Sequence, residues 1–432
     1  MRYDPSGKLI FTVAGHFTAP RTALKRIALG GNALPRRCGL ATFTSHVREA
    51  LRATFPEIAI DHYAMVDPGS TYCFPESVTR MIAQEERASY RAAARVIEQS
   101  GADLIWVQHE FGIYGGPAGS YLLDLLDSTT APLVVTLHTV LDSPNDEQRS
   151  VMEQFAKRAS LFIVMVSEAA KIVCRSYDIP ASKILVIPHG VPDRPLIKPQ
   201  VARQRLGFED RPTVLTFGLL SPGKGIETMI RAMPSILDQC PSALYSIVGA
   251  THPHLVAQEG EAHRARLQSL ADELQVAHAL RWDNRFLCEN ALLERIAAAD
   301  VYVTPYRNPN QITSGTLAYA LGLGKPIVST PYVHAVELLA AGRGVLVPFD
   351  DVDSIANAVG TLLINDTARH RLAALAYEHG RSMTWRRMAE ASLAAFDSLL
   401  REPSPLQMPT YERSPELRTG KPDHMTAARP AA

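Results

Sequence analysis

The chain has 432 residues, 46% of them apolar, with 44 basic and 44 acidic side chains. That length exceeds one ordinary hydrophobic core and suits two domains of roughly 200 residues each. The balanced charge argues against a nucleic-acid binder, which normally carries a basic excess, and no apolar run approaches the ~20 residues of a membrane-spanning helix. Leu9 to Gly15 is apolar but short and broken by Gly15-His16, so a secretory leader is not expected. The five cysteines (Cys38, Cys73, Cys174, Cys240 and Cys288) form no CxxC pair, which reads as reduced thiols in a cytoplasmic protein.

In chain order, residues 1–24 carry no strong pattern and read as a flexible lead-in or an added edge strand. Arg26 to Gly31 is the first clear strand. It runs through a loop ending at Gly39 into a helix over about 40–54, a strand–loop–helix order that suits phosphate but lacks a GxGxxG spacing. Further strands are predicted at 58–64, 104–108, 133–137, 162–166 and 184–187, with a long Ala-, Arg- and Glu-rich helix at 77–99. His109 and Glu110, His138 and His189 lie just past the carboxyl ends of three of these strands. A strand-end histidine beside a cleft can orient a hydroxyl or leaving group; a lone one is more often structural. Pro192, Pro195 and Pro199 mark a linker at about 194–200. It separates a first domain, 25–195, from a second, 196–380.

The second domain opens with a strand at 213–217, the loop Gly218 to Gly225 and a helix at 226–237. Strands at 243–249 and 280–283 and helices at about 260–275 and 289–299 follow. Val301 to Thr304 is a short buried strand ended by Pro305. Thr313 or Ser314 can cap the next helix, which Gly322 and Gly324 end before the strand at 326–330. Such a unit presents free N–H groups at the carboxyl edge of a parallel sheet, an anion site; an ordinary βαβ unit without ligand is the other reading. Lys224, between Gly223 and Gly225 at a helix start, can reach a diphosphate, unless it is simply a surface lysine near a turn. A last strand at 344–348 and helices at 353–364 and 370–400 complete the fold, and the Pro- and Arg-rich tail 402–432 is expected to be disordered. Strands alternate with helices throughout, so both sheets should be parallel and doubly wound. Asp351-Val-Asp353 reads as a helix cap, and His252-Pro-His254 lacks further ligands, so no metal site is expected.

The segments Phe217–Glu227, Tyr319–Pro326 and Val186–Val191 resemble the retaining nucleotide-sugar glycosyltransferases of the glycogen-synthase-like group, family four. Arg37–Phe43, Gln108–Gly112, Thr136–Thr139 and Ser314–Ala320 resemble the branch of bacterial mannosyltransferases that assemble O-antigens and polysaccharides. The resemblance covers about 25–400 and implies the α/β GT-B fold, two Rossmann-like domains facing across a cleft, with a helix over 381–401 returning to the first domain. It implies His138 and Lys224 as catalytic residues. Gly218, Gly223, Lys224, Gln311, Ser314, Gly315, Thr316 and Tyr319 would bind the donor, and Gly39, His109 and Glu110 would line the acceptor side. It implies no metal and no cofactor, a nucleoside diphosphate sugar (GDP-mannose favoured) as co-substrate, and a saccharide or lipid-linked acceptor. A lipid-linked acceptor would bring the chain to the inner face of the membrane as a peripheral contact. Three positions depart from the family pattern: Leu219 stands where an arginine is usual, and Gln311 and Tyr319 where two glutamates are usual. Two other readings stay open: a GT-B epimerase or phosphorylase and, on these departures, a degenerate sugar-nucleotide-binding protein without transfer activity.

Overall fold

The computed structural model describes residues 24–401 and a small antiparallel ribbon, Arg2–Tyr3 with Leu9–Ile10. The expected tail and most of the expected lead-in lie outside these residues. In the first sheet the strands are β1 (Arg26–Gly31), β2 (Ala59–Val66), β3 (Val78–Ala83), β4 (Leu104–His109), β5 (Leu133–Leu137), β6 (Leu161–Val164) and β7 (Ile184–Val186). They are all parallel, in the order β3-β2-β1-β4-β5-β6-β7. The second sheet has β8 (Thr213–Phe217), β9 (Leu244–Val248), β10 (Leu280–Asp283), β11 (Val301–Thr304), β12 (Ile327–Ser329) and β13 (Val345–Leu346), also parallel, in the order β10-β9-β8-β11-β12-β13. Continuous burial along β4, β5, β8, β9 and β11 is what helices on both faces of a parallel sheet produce. Each sheet reverses its strand order once, at β1/β4 and at β8/β11. Outside the carboxyl ends at such a point two loops diverge and leave a crevice.

Three helical expectations change. The stretch at 77–99 is not one helix: β3 occupies Val78–Ala83 and the helix begins at Arg87. Alternate exposure along β3, with the Thr79 hydroxyl accepting the His62 N–H (3.1 Å), is the edge-strand pattern that the later Ala-rich run obscures. The helix expected at 260–275 is preceded by a separate one, Pro253–Glu259, and Gly260 at φ 62° breaks the two apart. The stretch at 370–400 is two helices, Asp366–Arg381 and Trp385–Leu400, the second capped by Thr384. Asp351 is a cap as expected, accepting the Ser354 N–H at 2.9 Å. No helix among the described residues is long and apolar enough to cross a membrane.

The Trp385–Leu400 helix leaves the second domain and packs on the first. Met388, Leu393 and Phe396 join Leu29, Phe43, Trp106 and Ile163 in one buried cluster, with the Phe396 ring edge-on to Trp106 at 5.0 Å. Phe396→Ala should therefore lower the unfolding free energy by about 3–5 kcal/mol, the usual cost of emptying a buried phenylalanine site. Urea unfolding checks this; an unchanged midpoint would refute the role of this helix in the first core.

The imidazoles of His62, His109, His189 and His334 are buried, and that of His138 is part-buried. Desolvation lowers the pKa of His109, His138 and His334 to about 3 and of His62 and His189 to about 4. The folded state holds these rings neutral, whereas the unfolded chain protonates them near pH 6.5. Their contribution is fully present above about pH 6.5 and is lost as pH falls towards the folded values, at about 1 kcal/mol per ring by pH 5.5. The melting temperature should drop steeply between pH 6.5 and 4.5, and a flat profile would contradict these burials.

Candidate active site

Both reversal points open onto one cleft of about 720 Å³ lined by residues of both domains. On the second-domain side β8 runs into Gly218 at φ 120°, where a Cβ would stand 3.1 Å from the Thr316 methyl. Lys224 follows in a 3-10 turn, and Gly225 at φ 64° starts the Ile226–Gln239 helix. A side chain at Gly225 would overlap the Pro305 carbonyl, so glycine there lets the 218–225 loop lie against the loop that follows β11.

The two loops are joined by a chain of hydrogen bonds. Lys224 Nζ donates to the Tyr306 hydroxyl (2.7 Å) and sits 4.0 Å from that ring's centroid. Tyr306 Oη lies 2.7 Å from Thr316 Oγ1, which lies 3.1 Å from Ser314 Oγ. Burial raises the Tyr306 pKa, but the adjacent Lys224 ammonium together with the Thr316 and Ser314 hydroxyls outweighs it and lowers the value below that of an ordinary phenol. Ser314 caps the Gly315–Gly322 helix, its Oγ accepting the Leu317 N–H at 3.3 Å. The Ser314 N–H donates to His334 Nδ1 at 2.7 Å, so it is not offered to a ligand as expected. The N–H groups of Gly315 and Thr316 have no intrahelical partner and face the cleft end of the helix. A helix N-terminus and an ammonium converging in this way form an anion site.

On the first-domain side Arg37, Gly39, Phe43 and His46 line the cleft at the start of the Gly39–Thr54 helix. Gly39 is exposed there, with open space around its Cα. Phe43, His46, His189, Tyr319 and Trp385 pack ring against ring with centroids 5.0–6.5 Å apart, joining the two domains. His189 Nδ1 donates to the Gly190 carbonyl at 2.7 Å, and a Cβ at Gly315 would stand 3.0 Å from its Nε2.

Gly218, Gly39, Lys224, Gln311, Ser314, Gly315, Thr316 and Tyr319 all line the cleft, whereas Gly223 is exposed in the turn beside Lys224 and outside the lining. The Gln311 amide donates to the Thr313 carbonyl at 2.6 Å. The Tyr319 hydroxyl lies 2.7 Å from His46 Nδ1, and as a single neutral oxygen it cannot accept two ribose hydroxyls as a carboxylate does. Leu219 also lines the cleft, and an alkyl group there offers no phosphate contact.

Three expected site residues, His109, Glu110 and His138, are not among the residues lining the cleft. His109 is wholly buried among Phe111, Tyr114 and Phe155, and neither ring nitrogen has a partner. The Glu110 carboxylate turns inward to the Thr139 hydroxyl and the Phe111 and Gly112 N–H groups, and burial raises its pKa. Neither lines the cleft. His138 is part-buried and packs edge-on to Phe43 at 4.6 Å, with Nε2 3.0 Å from the Gln108 side-chain oxygen, beside the residues that line the cleft.

His46, Glu289 and Tyr306 were not recognised as site residues from the sequence. His46 follows Phe43 by three positions on the helix that opens at Gly39, a one-face spacing that could have pointed to it. Glu289 begins the Glu289–Ala297 helix and looks like an ordinary acidic first-turn residue. No group of three or more His, Cys, Asp or Glu side chains suited to a metal gathers among the described residues.

Comparison with known proteins follows this two-domain division. Residues 67–194 match the family model described as Glycosyltransferase Family 4, and residues 199–379 match that of Glycosyl transferases group 1. A D-inositol 3-phosphate glycosyltransferase of Corynebacterium jeikeium is 28% identical over 322 residues, 69% of this chain and 72% of the relative. A GDP-mannose-dependent alpha-(1-6)-phosphatidylinositol monomannoside mannosyltransferase of Mycolicibacterium smegmatis is 31% identical over 210 residues, 46% of this chain and about half (51%) of the relative. Among solved structures, Anabaena HepE in complex with UDP and glucose superposes with a TM-score of 0.67 at 17% identity, over 87% of this chain and all of HepE. With a family model on each domain and the same fold around the cleft, the chain belongs to the family four, group 1 glycosyltransferases of the GT-B fold.

Proposed function

We propose that the chain moves a hexose from a nucleoside diphosphate sugar to a hydroxyl of a saccharide or lipid-linked acceptor, with retention of anomeric configuration. The observation that carries this reading is the Lys224–Tyr306–Thr316 chain, which fixes an ammonium beside a helix N-terminus at the reversal point of the second sheet. A diphosphate seated there would have its growing charge met by Lys224 and the Gly315 and Thr316 N–H groups as the bond to the anomeric carbon breaks. The acceptor oxygen attacks from the face the diphosphate leaves, and a diphosphate oxygen takes its proton, so no protein nucleophile is required. GDP-mannose is the favoured donor: the mycolicibacterial relative is named for it, whereas HepE was solved with UDP and glucose. Incubation with GDP-, UDP- and ADP-sugars, with and without saccharide acceptors, tests the reading. Transfer supports it, sugar-nucleotide conversion without acceptor favours an epimerase or phosphorylase, and binding without turnover favours a degenerate binder.

Lys224→Ala should lower kcat about a hundredfold or more, as expected for losing a charged donor worth ~2–4 kcal/mol in the barrier. The melting temperature should change little, because a half-exposed cation at a turn contributes little to folding. A near-wild-type kcat would refute the assignment.

A further inference from the structure

Among the described residues lining the cleft, Glu289 is the one carboxylate. It reaches the wall from the first position of the Glu289–Ala297 helix, and its side chain is 37% exposed. That helix is anchored at its far end by buried Lys325, which donates to the Ala297 and Ala299 carbonyls at 2.8 and 2.9 Å. Glu289 Oε1 lies 3.4 Å from His46 Nε2, and His46 Nδ1 lies 2.7 Å from the Tyr319 hydroxyl. Nε2–H donates to the carboxylate, while Nδ1 either accepts from the Tyr319 hydroxyl or, in a protonated ring, donates to it. The hydrogen bond from His46 holds the Glu289 carboxyl below the usual carboxylate range, with Arg194 adding to the effect. A charged acceptor thus stands oriented on the wall of a cleft otherwise supplied with donors and apolar rings.

Its place in the cleft indicates what it accepts. The anion site lies over β8 and β11. Gly249 and Ala250 follow β9, and Arg285 to Glu289 follow β10, so these loops line the cleft to one side of the anion site. We infer that a nucleoside diphosphate with its phosphates at Lys224 extends its nucleoside along that side, and that Glu289 accepts the vicinal hydroxyls of its ribose, a task for which Tyr319 offers only a single neutral oxygen already hydrogen-bonded to His46. His46 and Tyr319 are positioning residues for that carboxylate. This inference rests on the nucleotide-sugar reading of the cleft.

The test is calorimetric titration of the full chain with GDP and UDP and with their 2′,3′-dideoxy analogues, on wild type, Glu289→Gln and Lys224→Ala. Wild type should bind the better of the two ribonucleotides about tenfold or more tighter than its dideoxy analogue, as expected for hydrogen bonds to a charged acceptor. Glu289→Gln should bring the two affinities together, whereas Lys224→Ala should weaken both alike and keep their ratio. If Glu289 were only a strut between domains, Glu289→Gln would weaken both nucleotides equally; a retained ratio therefore overturns the inference. So does a wild type indifferent to the two hydroxyls. Failure of wild type to bind either nucleotide at millimolar concentration would overturn the nucleotide-sugar reading together with this inference.

Discussion

The site depends on how tightly the two domains meet at Trp385. The indole lies so close to Gly190 that any Cβ there would overlap its six-membered ring. Around that contact Phe43 and His46 come from the first domain's leading helix and Tyr319 from the second domain's anion-facing helix. The backbone follows the same seam: Val191 N–H donates to the Met383 carbonyl at 2.9 Å, and Trp385 N–H donates to the Val191 carbonyl at 3.0 Å. A second clasp lies nearby, where the two carboxylate oxygens of Glu337 share the one Ser167 N–H, at 2.8 and 2.9 Å, at the start of a first-domain helix. A carboxylate at a helix N-terminus is favourably placed, and this one crosses between domains. The cleft is therefore a gap between two rigid sheets whose spacing is set by ring packing and a few directed hydrogen bonds.

Much of this was legible in the chain. Buried parallel strands are short apolar runs ended by glycine or proline, so β8 and β11 and the loops after them could be located closely. Lys224 between two glycines and Ser314 before Gly315 carry local signals, a turn and a cap, that hold in any tertiary setting. The expectations that failed concerned direction. Successive strand residues point to opposite faces, and a strand-end residue can turn either towards the cleft or into the core. His109 ends β4 and is enclosed by Phe111 and Phe155, although its neighbours in sequence gave no sign of it. Glu110 likewise has a local partner in Thr139, a residue 29 positions away in the chain. Tyr319 was read as a cleft residue and does line the cleft, but the destination of its hydroxyl depends on a helix of the other domain.

The three departures from the family pattern act together on the charge of the cleft. Relative to that pattern Leu219 removes one positive charge, while Gln311 and Tyr319 remove two negative ones, so the cleft gains one net positive charge (−1 + 2 = +1). A dianionic leaving group in a site with low effective dielectric responds to the summed field as well as to each contact. Losing a guanidinium that touches phosphate is therefore offset in part by losing two carboxylates that repel it. The exchange has a structural cost, because a ribose still presents two hydroxyls that need an acceptor. In the proposed reading Glu289, held beside the same His46 that the Tyr319 hydroxyl contacts, offers one carboxylate where the family pattern has two, from the side of the cleft formed by the loop after β10.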